Sequence, residues 1–299
     1  MSSRSGPVLA LCLLSPFIGE LLSSNVLPSL FVRQPVMIVF AALTYSLPVL
    51  LIRELVVART LSLGGLLVCG LAYGIFNEGL LARTILMTEG LPIPVFDRFL
   101  SIGGLSVGWG ATMLAWHAIF SVATPILLVH TWWPDHASRE WLPRGAQVAG
   151  LVVCLFSSLL FFRTDQGPAP SAALYALFVG LIAALLFIAQ LAKGASPTGF
   201  SWLAFFAGLS SFAFFGGLFF IAGARLPESL FVAWGLGSGA AFVFALRRLG
   251  GPLPFCLGAC AAYALFVFIA KQHATVEGTL VTAVIATGLL LTLRRLAPR

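Results

Sequence analysis

Charge is what this chain has least of. Only 9 % of its 299 residues are Asp, Glu, Lys or Arg, against roughly 25 % in an ordinary soluble domain, so water is excluded as the solvent for most of its surface. Histidine is scarce too, with four residues, and none stands in the His-Glu-x-x-His spacing of a zinc protease. There is no Gly-x-x-x-x-Gly-Lys phosphate loop and no zinc-type cysteine spacing. Their absence excludes a self-contained ATPase and a zincin. The five cysteines, Cys12, Cys69, Cys154, Cys256 and Cys260, all fall in apolar runs, and their odd number does not read as a disulfide framework. Cys256 and Cys260 share a helix face without a third ligand nearby, so they read as packing residues, and neither a metal nor a cofactor is expected.

What fills the chain is hydrocarbon: 60 % of residues are hydrophobic and the mean hydropathy is +1.03. A helix needs about 20 apolar residues to cross a bilayer. Such runs lie near 8–24, 35–57, 62–82, 108–131, 146–163, 172–192, 200–224, 228–246, 253–271 and 277–293. The sequence therefore predicts an all-α, polytopic membrane bundle of about ten transmembrane helices, one unit over residues 1–299. Arg4 before an apolar run has the look of a secretory signal, but no small-x-small cleavage site follows, and Pro16 and Glu20 suit a retained helix. The loops at 83–107, with Pro92, Pro94, Asp97 and Arg98, and at 132–145 are the longest, with room for a re-entrant or interfacial segment.

Net charge is +7, yet the basic residues stand singly or in pairs at span ends, so the positive-inside rule explains them and nucleic acid is not an expected partner. With the N-terminus inside, eleven basic residues lie on the inner side and six, namely Arg33, Arg83, Arg98, Arg163, Arg225 and Lys271, on the outer. Both termini are then expected in the cytoplasm of a prokaryotic cell whose inner membrane the chain crosses, with membrane lipids as partners beside an unidentified small molecule, ion or membrane protein.

The few intramembrane charges are unevenly placed. A charge at the bilayer centre costs at least about 2.5 kcal/mol and usually marks function, and Glu20, Glu78 and His117 all precede residue 132. The chain thus reads as a polar four-helix module over 1–131 and an apolar, Phe- and Gly-rich six-helix module over 146–299, without an inverted repeat. Under the proposed topology the three residues share one depth. Gly70, Gly74 and Glu78 follow one another at i, i+4, and His117, Ser121 and Thr124 form a second stripe, so both stripes are expected to face the interior. Pro16, Pro48 and Pro125 interrupt three of these helices, each leaving a carbonyl that something else must satisfy.

A buried Glu78–His117 pair can pass a proton at physiological pH, with Glu20, Asn77, Ser121 and Arg83 as further candidates for ligand or proton binding. The plainer alternatives are that Glu78 pairs with Arg83, Glu20 reaches the headgroups, and His117 bonds a nearby carbonyl. Arg53 reads as an inner-side anchor, and because neighbours on a helix point about 100° apart it is not expected to pair with Glu54. His130, Asp135 and His136 beside Trp132 and Trp133, and Lys271 with His273, read as interfacial residues.

Asn77-Glu78-Gly79-Leu80-Leu81-Ala82-Arg83, with His117 in the next span, resembles the layout of the type II CAAX-processing and bacteriocin-immunity family of intramembrane proteases. That family opens on a Glu-Glu pair followed by Arg and continues with Phe-x-x-x-His. Here Asn77 replaces the first Glu, Arg83 comes five residues after Glu78, Met113 precedes His117, and no His-x-x-x-Asn motif follows. The resemblance implies that Glu78 activates water and His117 orients the substrate or stabilises the oxyanion. Three functions are therefore open: a transporter or permease with a Glu/His site, an intramembrane enzyme of protease or lipid-headgroup type, and a non-catalytic complex subunit.

Overall fold

Helices carry the described part of the chain, which in this computed structural model comprises residues 4–22, 26, 28–91, 97, 101–161, 167–194, 200–222, 227–230, 232–234, 236–237, 240, 251–271 and 276–296. They are α1 (Ser5–Leu21), α2 (Pro28–Arg33), α3 (Val36–Ala58), α4 (Leu63–Leu81), α5 (Val107–Trp132), α6 (Pro134–Ala137), α7 (Arg144–Phe161), α8 (Ala172–Ala189), α9 (Trp202–Ala222), α10 (Pro252–Lys271) and α11 (Val276–Leu296). Serine side chains start three of them, Ser62 accepting from the Gly65 amide, Ser171 from the Leu174 amide and Ser201 from the Ala204 amide. A two-stranded hairpin, β1 (Ser101–Ile102) with β2 (Leu105–Ser106), precedes α5. It turns through Gly103 and Gly104, both at positive φ, as a two-residue hairpin loop requires.

Among the described residues, five helices are long and apolar enough to cross a membrane: α3, α4, α5, α8 and α11. Ser5–Leu21 is apolar but shorter, and α7, α9 and α10 are apolar over Arg144–Leu160, Trp202–Ala213 and Pro252–Phe266. The expectation of about ten full spans is thus met in part. The run at 228–246, together with Pro92, Pro94, Arg98, Arg163 and His273, lies wholly or mostly outside the described residues. Asp97 accepts from the amides of Gly90 and Leu91 in the loop before the hairpin.

The outer surface is hydrocarbon. Leu151, Phe156, Phe187 and Leu290 are all more than half exposed, while Arg53, Glu54, Glu78 and His117 are buried. A polar interior under an apolar skin is what a lipid solvent selects.

Three prolines tie the first helices together. Each lacks the N–H that would bond the carbonyl four residues back, and each of those carbonyls instead accepts a hydroxyl from a neighbouring helix. The Cys12 carbonyl, orphaned by Pro16, accepts from Ser46 Oγ of α3 at 2.6 Å. The Thr44 carbonyl, orphaned by Pro48, accepts from the Tyr73 hydroxyl of α4 at 2.8 Å. The Ser121 carbonyl, orphaned by Pro125, accepts from Ser15 Oγ of α1 at 3.2 Å. Helices α1, α3, α4 and α5 are thereby joined by three interhelical hydrogen bonds.

Glycine sets how closely helices approach. A Cβ on Gly70 would lie 2.6 Å from Ala118 Cα, and one on Gly74 would lie 2.7 Å from Leu114, so α4 and α5 touch backbone to backbone along the stripe that ends at Glu78. On α9 and α10 the arrangement is reciprocal: a Cβ on Gly208 would meet the Phe255 carbonyl at 2.1 Å, and one on Gly258 the Phe205 carbonyl at 2.0 Å.

Two outcomes are expected from thermal unfolding in detergent. Ser46→Ala leaves the Cys12 carbonyl unsatisfied and costs about 1–3 kcal/mol. In a Pro16→Ala background, where the amide returns, the cost should fall by at least about 0.5 kcal/mol. Gly258→Val should destabilise by about 1–3 kcal/mol or more through forced separation of α9 and α10.

Candidate functional site

Four helices widen at one level of the bundle. The amides of Leu22, Leu47, Ala82 and Thr124 bond the carbonyls of Phe17, Ala42, Asn77 and Ile119, each five residues back. Such π-turns are rare and recur at functional sites. These four, Phe17–Leu21, Ala42–Ser46, Phe76–Leu81 and His117–Ala123, carry Glu20, Tyr45, the Asn77–Glu78 pair, and His117 with Ser121.

Glu78 and His117 meet at the centre, with His117 Nε2 2.8 Å from Glu78 Oε1 and both side chains buried. The other ring nitrogen, Nδ1, lies 2.9 Å from Ser121 Oγ. A neutral ring that donates from Nε2 accepts the serine hydroxyl at Nδ1, and a charged ring donates at both ends. Rotation of one hydroxyl thus satisfies either protonation state. Glu78 Oε2 accepts from the Thr84 hydroxyl, and Thr84 Oγ1 accepts from Trp109 Nε1 at 2.7 Å. The glycine stripe of α4 explains the meeting, since Gly74 lets the His117 Cβ come within 3.6 Å of where its own would be.

A second carboxylate sits across the cluster. Glu20 accepts a hydrogen bond from the Tyr45 hydroxyl, and the Tyr45 ring centroid is 6.2 Å from that of His117. Gly19 makes room for that tyrosine, because a Cβ there would lie 2.6 Å from Tyr45 Cε1 and 3.0 Å from Ser121 Oγ. Tyr73 stands edge-on to His117 at 5.2 Å, donates to the Thr44 carbonyl and accepts from Asn77 Nδ2 at 2.9 Å.

The structure brings Glu78, His117 and Ser121 into direct contact and links Asn77 and Glu20 to them through Tyr73 and Tyr45. Glu78 takes His117 and Thr84 as partners, and the buried Arg83, at positive φ, directs the chain into the Thr84–Leu86 turn that supplies Thr84. Tyr45, Tyr73, Thr84 and Trp109 were not expected from the sequence. A signal existed for the tyrosines: the chain has only four, and these two sit inside apolar spans.

A separate polar cluster forms where α3 ends. Contrary to the expectation from helical spacing, Arg53 and Glu54 do pair, NH1 to Oε1 at 2.6 Å. The arginine side chain is long enough to curl back, and it is held there by other contacts. Its guanidinium lies 3.5 Å over the Trp141 ring and donates to His130 Nε2 and to the carbonyls of His136 and Ala137. Glu54 Oε2 accepts from the amides of Trp141 and Leu142. Arg53 and Glu54 are therefore a fully bonded latch between α3 and the segment after α6. His130 joins it through its ring and His136 through its backbone carbonyl.

The family model of an uncharacterized membrane protein family matches residues 9–298, and the chain belongs to that family. No curated protein and no solved structure matches the chain.

For the latch the expected outcome is structural. Arg53→Met strands the Glu54 carboxylate and should cost about 3–5 kcal/mol of stability. Arg53→Lys, which lacks the planar fork, should restore only part of the loss in the same unfolding measurement.

Proposed function

We propose that this membrane protein is an intramembrane acid–base enzyme in which Glu78 is the general base and His117 its hydrogen-bonded partner. The observation that carries the reading is the 2.8 Å contact between the two, with Ser121 fixing the far side of the ring. A base held by a partner that is itself oriented by a third group is the common signature of activated proton transfer. The layout of Asn77, Glu78, Arg83 and His117, similar to that of the CAAX-processing and bacteriocin-immunity proteases, supports the same assignment. In this reading the Thr84 hydroxyl on Glu78 Oε2 occupies the place of the water or substrate hydroxyl to be deprotonated, and the turn that carries Thr84 moves when substrate enters.

A second reading, a proton-coupled permease, draws support from the Glu20–Tyr45 pair across the cluster and from the proline-broken helices around it. There Glu20 and Glu78 would be successive proton sites.

One comparison separates the two. Membranes from cells expressing the wild type, Glu78→Gln or His117→Ala are compared by lipid and peptide mass spectrometry, and the purified proteins are tested for proton flux in liposomes. The enzyme reading expects a product whose formation falls about 10²–10⁴-fold in both variants. Glu78-dependent flux without a product would overturn it in favour of transport. A stably folded Glu78→Gln variant that changes neither would leave the pair a structural bond in a complex subunit.

A further inference from the structure

Away from the polar cluster, α3, α4, α7 and α8 enclose an elongated cavity of about 400 Å³, inside the roughly 300–1,000 Å³ range of ligand sites. Leu51, Leu55, Ala72, Leu151, Ile182 and Leu186 are among its walls, which are almost wholly apolar. It is open along the side, between helices whose outer faces are exposed leucine, valine and phenylalanine. Along α4 it runs from Cys69 to Leu80, which at about 1.5 Å per residue is about 16 Å. That is about half of the 30 Å hydrocarbon core, the depth of one lipid leaflet.

The two ends differ. One lies at Pro48, Leu80, Leu155 and Val179, and Tyr73 and Phe76 line the wall between the ends, with the His117 ring 5.2 Å beyond the Tyr73 ring. The other opens at Leu55, Gln147 and Leu186, and three exposed cations gather there, beside the Glu140 carboxylate that accepts from Gln147 Nε2 at 3.2 Å. Arg59 lies one turn beyond Leu55 and Arg144 one turn before Gln147. Lys193 follows the end of α8 and is held beside the α3–α4 connection by the Leu61–Lys193 bridge and the Gly194 N–H to Thr60 carbonyl bond. An apolar slot one leaflet deep with a cationic mouth matches a hydrocarbon chain joined to an anionic headgroup.

We infer that this groove binds one acyl chain of an anionic phospholipid, whose phosphate rests at Arg59, Arg144 and Lys193. The chain then passes along Tyr73, so occupancy presses on the wall of the Glu78–His117 site whatever chemistry that site performs.

The test uses the full-length protein in detergent micelles with trace phosphatidylglycerol carrying a diazirine near the end of one acyl chain. Irradiation and peptide mapping should place the label on residues 47–55, 69–80 and 179–186, facing the groove. Leu151→Trp with Val179→Trp narrows the slot and should lower labelling about tenfold. Leu160→Trp, nine residues and thus two and a half turns on from Leu151, lies on the opposite side of α7 and should leave it unchanged. Phosphatidylcholine bearing the same diazirine should label less, and the preference should vanish in Arg59→Gln/Arg144→Gln/Lys193→Gln. Label spread evenly over the outward faces of α7 and α8, labelling indifferent to the two tryptophans, or equal labelling by both lipids would overturn the inference. So would a chain-to-chain crosslink through the groove, which would assign it to a second copy. Because the readout is labelling, it stands or falls separately from any loss of activity in Glu78→Gln.

Discussion

Everything near the centre of this bundle follows from the absence of water as a hydrogen-bond partner. A carbonyl freed by proline in a soluble helix can turn to solvent; in hydrocarbon it must find a protein donor. Here Ser46, Tyr73 and Ser15 are those donors, and each reaches across to a different helix. The helix breaks are thus the points at which α1, α3, α4 and α5 are fastened to one another. Two of the donors also touch the candidate site. Tyr73 forms its wall, and Ser15 bonds the carbonyl of Ser121, whose hydroxyl holds His117.

That constraint makes the site rigid where it would have to bind a proton. Glu78 and His117 each have a second partner, and Ser121 can reverse its role as the proton moves. Preorganisation of this kind lets a proton shift occur without displacing a backbone. It also means that any group coming to Glu78 must displace a partner, and the Thr84 turn is the least embedded of those in contact with it.

Much of this was legible in the residues. The spacing of Gly70, Gly74 and Glu78 gives the face of α4 that meets α5, because helical periodicity survives as far as the site; of the α5 stripe, His117 and Ser121 join the cluster, while Thr124 bonds back to the Ile119 carbonyl. The need for substitute donors behind Pro16, Pro48 and Pro125 is equally readable, although not which hydroxyls supply them. What was hidden depends on departures from ideal geometry. The π-turns bring Tyr45 to Glu20 and cannot be inferred from periodicity. The Arg53–Glu54 pair violates the rule for neighbouring residues because Trp141 and two carbonyls fold the arginine back on itself.

Each π-turn is also a helix holding one residue more than its pitch requires. Beyond it, every side chain is rotated by about 100° from where an unbroken α-helix would put it. Four such surpluses lie at one level, so the halves of the bundle above and below are phased independently. The surplus residue can in principle pass along a helix by exchange of hydrogen bonds, turning one half against the other without unwinding either. A bundle fastened at its prolines and over-wide beside them has a place where small rotations cost little, and that place holds its proton-bearing groups.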